Sequence, residues 1–147
     1  MVLKKKHSFI EEWKNDCKID NTKLEESASL TPVLHSKYWV IYLHQSKKYN
    51  SLLAEYKKLS LLKSKYYSGR LSKEECENLG WDINYLKILK TELKSYVESD
   101  DDVIKLTTEI ENQKQIIKYL EDILKMIHNR SFLIKNIIDW IKFKDGQ

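Results

Sequence analysis

The sequence predicts an all-α fold: elongated helices, with a long C-terminal heptad helix that gathers copies of the chain into an oligomeric bundle or ring. Three observations carry this. The 147 residues include only three glycines and one proline, too few turn residues for a many-stranded sheet. Apolar residues recur at intervals of three and four rather than alternating. From Val103 a heptad seam runs Val103, Leu106, Ile110, Gln113, Ile117, Leu120, Leu124, Ile127, Ser131, Ile134, Ile138, Ile141. Ten of those twelve positions are aliphatic, a pattern built to lie along other helices.

The first helix is expected from Ser8 to Cys17, with Phe9, Ile10, Trp13 and Cys17 on one side. Asp20, Asn21 and Thr22 form a polar break rich in capping residues, and a second helix starts near Lys23. Pro32 kinks or interrupts it, since proline lacks the amide donor and clashes with the preceding turn. Helix then resumes to Tyr67 along a stripe of Tyr38, Tyr42, Gln45, Tyr49, Leu52, Tyr56, Leu59, Lys63 and Tyr66. Ser68-Gly69 ends it, glycine supplying the left-handed conformation. Ser72 to Glu75 has capping-box spacing for a short helix that stops before Gly80. Asp82 is read as the cap of a helix from Ile83 to Val97, with Ile83, Leu86, Leu89, Leu93 and Val97 on one face.

The acidic run Glu98-Ser99-Asp100-Asp101-Asp102 precedes the final helix, where carboxylates cap amides and suit the helix dipole. Its alternative role is a patch that docks a basic protein or mimics DNA phosphate. The final helix, unbroken, would be roughly 60 Å long, beyond the diameter of a compact domain of this size. A second stripe (Ile116, Tyr119, Ile123, Met126, Leu133, Ile137, Trp140) flanks the seam, so two neighbours are needed, not one. Ile117, Leu120, Leu124, Ile127, Ile134, Ile138 and Ile141 are the expected oligomerisation residues. The domain organisation expected is a DNA-binding region over 1–70, a variable loop and connecting helix over 71–97, and an oligomerisation helix over 98–147.

Catalytic and cofactor signatures are not found. Three isolated glycines build no phosphate loop, and His7, His35, His44 and His128 lack partners at metal-ligand spacing. No enzyme activity, cofactor or metal is expected. Cys17 and Cys76 read as reduced bystanders, and with no apolar run of membrane length or signal-peptide core the expected location is cytoplasmic.

Charge is the positive signal. From Lys37 to Lys73 there are nine basic residues against the single acid Glu55, so this stretch is +8 while the whole chain is +4. Lysines bind phosphates by counterion release, and aromatic rings stack on unpaired bases. A lysine- and tyrosine-rich helix therefore suits single-stranded nucleic acid. Tyr38, Tyr42, Tyr49 and Tyr56, at heptad spacing, are read as packing residues. The expected DNA-binding residues are Lys57, Lys58, Lys63, Lys65, Tyr66, Tyr67 and Arg70.

Several stretches resemble the UvsY family of recombination mediators of T4-like phages. They are Ile19 to Leu24, Leu34 to Lys37, Leu62 to Lys65, Tyr66-Tyr67-Ser68-Gly69-Arg70, Asp102 to Lys105, and Arg130 to Asp139. They occur in the family's order and span nearly the whole chain. The paired-tyrosine stretch and the Arg-x-Phe-x-Ile-Lys-x-Ile-x-Asp stretch from Arg130 are the most specific. The resemblance implies a non-catalytic protein of the host-cell cytoplasm that loads a RecA-like recombinase onto DNA coated with single-strand-binding protein. It implies a ring, of six or seven subunits, held by C-terminal helices. It also implies a DNA-binding motif, Leu-Lys-Ala-Arg, ahead of the paired tyrosines. Here that motif reads Leu62-Lys63-Ser64-Lys65 only if two residues are dropped; ungapped, the family's lysine falls on Leu61 and its arginine on Lys63. The competing reading is a non-catalytic scaffold or adaptor that binds another protein through its heptad helix.

Overall fold

The computed structural model describes residues 8–84 and 88–146. Among them every regular element is a helix: α1 (Ser8–Asp16), α2 (Leu24–Ser29), α3 (Thr31–Tyr67), α4 (Lys73–Leu79), α5 (Lys90–Glu98), α6 (Asp101–His128) and α7 (Arg130–Lys144). Local chemistry sets most boundaries. Pro32 lies in the first turn of α3, where its missing amide has no helical partner to lose. Gly69 adopts φ 71° just past α3, and Arg70 N–H reaches back to Lys65 O at 2.9 Å. Ser72 and Glu75 form the reciprocal capping box of α4, and Gly80, at φ 70°, closes it.

Two elements depart from expectation. The helix expected from Ile83 begins only at Lys90. Residues before it are drawn to the end of α3 instead: Asn84 Nδ2 donates to Tyr66 O and Tyr67 O at 3.1 and 3.3 Å, and Ile88 N–H donates to Tyr67 O at 3.3 Å. The last carbonyls of a helix have no intrahelical donor, so they attract such groups. Leu86, expected on the α5 face, lies outside the described residues. The final heptad helix is divided at Asn129 into α6 and α7, although Asn129 N–H donates to Lys125 O at 3.0 Å and Leu133 N–H to Asn129 O at 3.2 Å across the division.

The described residues form two compact units. One runs up to His44 and resumes at Ile117; the other is Gln45–Ile116. The units cut across the expected division at 70 and 97, because α3 and α6 each contribute to both.

The core of the first unit holds Phe9, Trp13, Leu34, Tyr38, Leu120, Ile123, Ile127 and Ile134. Trp13 meets Tyr38 edge-on at 5.2 Å, and the Tyr38 hydroxyl donates to Asp16. The buried face of α6 and α7 follows Leu120, Ile123, Ile127, Arg130, Ile134, so the expected Leu124 and Ser131 give way to Ile123 and Arg130. Leu120, Ile127 and Ile134 are thus enclosed by their own chain, while Ile117, Leu124, Ile138 and Ile141 stay half-buried. Arg130 is nearly buried, and its guanidinium donates to Ser27 O, Cys17 O and Lys18 O at 3.4–3.5 Å. Those carbonyls end α1 and α2, where a cation satisfies both the open acceptors and the helix dipole.

The second unit packs Leu52, Cys76, Val97 and Val103. Gln113, one of the two polar positions of the seam, donates to Gln45 Oε1 at 2.7 Å and Gln45 O at 3.1 Å. A buried amide must find such partners, which fixes this register more sharply than an aliphatic side chain would.

Candidate nucleic-acid interface

The second half of α3 has two opposite faces. Tyr49, Leu52, Tyr56 and Lys63 line the inner one. Lys47, Lys58 and Lys65, eleven and seven residues apart, fall within about 20° of a single outer line at 100° per residue. All three are exposed, as are Lys48, Lys57 and Arg70. Only Glu55 opposes them within this half of the helix. Successive lysines on the line are separated by roughly 16 and 10 Å of helix.

Lys63 is placed differently from the other basic residues expected to bind DNA. It is 4% exposed, and its ammonium binds Asp102 Oδ2 at 2.8 Å and Asp100 Oδ2 at 3.0 Å. The Trp81 ring lies 3.9 Å from it and the Tyr66 ring 5.9 Å. Burial alone would lower the lysine pKa, but the hydrogen bonds to Asp102 and Asp100 outweigh it and hold the group protonated above its ordinary value. Tyr67 belongs to the same cluster. Its hydroxyl donates to Asp100 Oδ2 at 2.6 Å, and burial together with that carboxylate pushes its pKa up.

Asp100 serves two elements. Its Oδ1 accepts from the amides of Asp102 and Val103 and so caps α6, while its Oδ2 takes Lys63 and Tyr67. Burial would raise its pKa; the Tyr67 hydroxyl and Lys63 ammonium hold it below the ordinary carboxylate value. The acidic run therefore takes the helix-capping role expected of it and adds an ion pair that the sequence reading did not include. The signal for that pair was present: Lys63 shares its α3 stripe with tyrosines and leucines, and a lysine buried there needs a carboxylate.

Tyr66 is half-buried. Its hydroxyl donates to Asp82 O at 2.8 Å, and its ring meets Tyr67 and Trp81 at steep angles, each at 5.1 Å. The paired tyrosines thus cement the segment after α3, leaving Lys57, Lys58, Lys65 and Arg70 as the expected DNA-binding side chains that face solvent. Lys47 and Lys48, absent from that set, join them on the surface. Among the described residues no group of histidine, cysteine and carboxylate side chains could hold a metal ion, and no helix is long and apolar enough to cross a membrane.

Comparison with known proteins identifies the family. Residues 12–147 match the family described as recombination, repair and ssDNA binding protein UvsY. The recombination protein uvsY of Enterobacteria phage T4 is 32% identical over 139 residues, covering 93% of this chain and 95% of the phage protein. Crystal structures of the bacteriophage T4 recombination mediator protein UvsY superpose closely. Lattice type II gives a TM-score of 0.80 at 28% identity, over 97% of this chain and 98% of that one. Lattice type I gives 0.78 at 29% identity, over 91% and 96%. A chain that matches from α1 to its last helix in both sequence and fold belongs to the UvsY family of recombination, repair and single-stranded-DNA-binding proteins.

Proposed function

We propose that this protein is a recombination mediator. It binds single-stranded DNA along the outer face of α3 and promotes loading of a RecA-like recombinase onto DNA coated with single-strand-binding protein. The observation that carries the DNA-binding part is the row of Lys47, Lys58 and Lys65, exposed on one line. Such a row binds a phosphate backbone without reading its bases, as a mediator acting at any sequence requires. The T4 relative is itself named a recombination mediator, which supports the loading role.

Self-association into a ring of more than two subunits completes the proposal. Its support is the apolar surface that the first unit leaves exposed: Phe132, Leu133, Trp140 and Phe143 lie on one side of α7, between 52% and 73% exposed. Four large apolar side chains on one helix face mark an association surface better than they mark a solvated one.

Anisotropy of a labelled oligo-dT, titrated against salt, tests the DNA face. The variant Lys47→Ala/Lys58→Ala/Lys65→Ala should lower the slope of log K against log salt by about 2, at roughly 0.7 per lost phosphate contact. An unchanged slope refutes this face. The loading role is tested by the lag before a RecA-like recombinase begins hydrolysing ATP on coated DNA; the protein should shorten it, and the triple variant should not.

A further inference from the structure

We infer that the groove between the first half of α3 and the end of α6 is a base-stacking subsite for single-stranded DNA. The inference rests on the DNA-binding reading above and adds what the lysine row lacks. Phosphates are common to single and double strands, so a row of lysines does not favour one over the other. Unpaired base faces are what a single strand alone offers, and aromatic rings are what take them. Tyr66 and Tyr67, the rings expected to do so, are tied to Asp82 and Asp100 and hold the segment after α3 instead.

The groove lies within the first unit and has a volume of about 440 Å³. Its α3 wall carries His35, Trp39 and Tyr42, and its α6 wall Glu121, Lys125 and His128. The three α3 rings follow one another at intervals of four and three residues and so share a helix face. They form a near-parallel row: His35 to Trp39 is 6.2 Å between centroids at 9°, and Trp39 to Tyr42 is 5.3 Å at 26°. Parallel rings in full face contact lie roughly 3.5–4 Å apart, so neighbours here overlap only at their margins and leave ring surface open. Trp39 remains 44% exposed.

The polar side chains around the rings decide the occupant. Glu121 accepts from the Tyr42 hydroxyl at 3.5 Å, a weak hydrogen bond that leaves the carboxylate able to take another donor. Lys125 meets Asp122 at 3.5 Å with both side chains largely in solvent, a pairing that water and salt weaken. His35 and His128 are exposed. An apolar helix of a second copy laid here would strip water from Glu121, Lys125 and both histidines without pairing them, a costly burial. A nucleobase instead presents a flat face to the rings and a rim of donors and acceptors to the polar groups. Glu121 and Lys125 offset each other in charge, so the groove suits an uncharged base rather than a phosphate. The lysine row then takes phosphates and the groove takes a base.

The test compares oligo-dT with an abasic strand of the same length, each titrated against the full-length protein. Wild type should bind oligo-dT about ten-fold more tightly, the contribution of one stacked base. Trp39→Leu, apolar but without a ring, should abolish that preference and leave the slope of log K against log salt unchanged, since no phosphate contact is lost. Trp39→Phe should restore the preference. Oligo-dT should also quench tryptophan emission more than the abasic strand does, and this excess should vanish in Trp39→Phe, which keeps a ring in place but not the fluorophore. A preference that persists in Trp39→Leu, or an excess quenching that persists in Trp39→Phe, overturns the subsite. So does a lowered salt slope, which would make the groove a phosphate contact, or a loss of assembled mass, which would assign it to contacts between copies. A wild type that binds both strands equally overturns it while leaving the lysine row in place. A wild type that binds neither removes the DNA-binding reading itself, and the subsite with it.

Discussion

Arg130 and Lys63 are both buried cations, but they are satisfied in opposite ways. Arg130 spreads its guanidinium over backbone carbonyls that end α1 and α2. Replacing it with methionine should strip three carbonyls of their donor and destabilise the fold by about 2–4 kcal/mol, read as a lower midpoint in urea. Lysine should not rescue it, because a point charge on a flexible stem does not reproduce the planar fork. Lys63 meets carboxylates, and its removal leaves Asp100 buried beside Tyr67. Lys63→Ala should therefore destabilise by about 3 kcal/mol, whereas Lys58→Ala and Lys65→Ala should leave the melting temperature unchanged. Equal stability of all three variants would return Lys63 to the DNA face. The cluster also fixes the sign of the pH response. Asp100 is held below its ordinary value of 3.8, so its contribution is complete above that pH and disappears as pH falls through the lowered value. Lys63 is held above 10.5, so its contribution is complete below that pH and is lost as pH rises through the raised value. Between those limits Asp100→Asn should lower the melting temperature by a nearly constant amount, and the gap to wild type should narrow below pH 4.

The legibility of each element in the sequence follows how local its causes are. Pro32, Gly69, Ser72 with Glu75, and Gly80 act within a turn of themselves, and the helices begin and end where those residues dictate. The start of α5 was hidden because its competitor is remote: the end of α3 takes Asn84 and Ile88 as hydrogen-bond partners, at sequence separations a local pattern does not register. Likewise the heptad seam included Leu120, Ile127 and Ile134 but not Ile123 or Arg130, and it did not say which positions would be enclosed by their own chain. On α7 the outcome is two apolar faces, one carrying Ile134 inward and one carrying Phe132, Leu133, Trp140 and Phe143 outward. Charge placed on each face should have a different effect. Leu120→Asp, at a position with 0% exposure, should abolish folding, seen as loss of the cooperative thermal transition. Leu133→Asp with Trp140→Asp should keep the helical circular-dichroism spectrum and lower the assembled mass in sedimentation equilibrium. An undiminished mass would move the association surface off α7.

Across the whole molecule, both units expose apolar and basic side chains, but along α3 the balance shifts from one unit to the other. The first unit exposes Val33, Val40 and Leu43 along α3 as well as the α7 face, whereas the continuation of the same helix in the second unit exposes Lys47, Lys48, Lys57, Lys58 and Lys65 with Leu61 as its exposed large apolar side chain. One helix thus changes its outward chemistry near His44, from mainly apolar to mainly basic. Under the proposed function, this difference would make assembly and DNA binding separable in the monomer yet coupled in action. A single basic face holds a strand weakly and loses it to salt. Several faces on one assembly turn every contact after the first into an intramolecular one, raising affinity for a long strand by 10²–10⁴ without any new contact. The α7 variant above should therefore bind an oligonucleotide too short to span two subunits as tightly as wild type does, and a long strand about a hundred-fold more weakly. The outer-lysine variant should lose affinity for both lengths while its mass stays assembled. Parallel loss of short- and long-strand affinity in the α7 variant would show that the apolar face takes part in the DNA contact itself, and the two faces would no longer have separate roles.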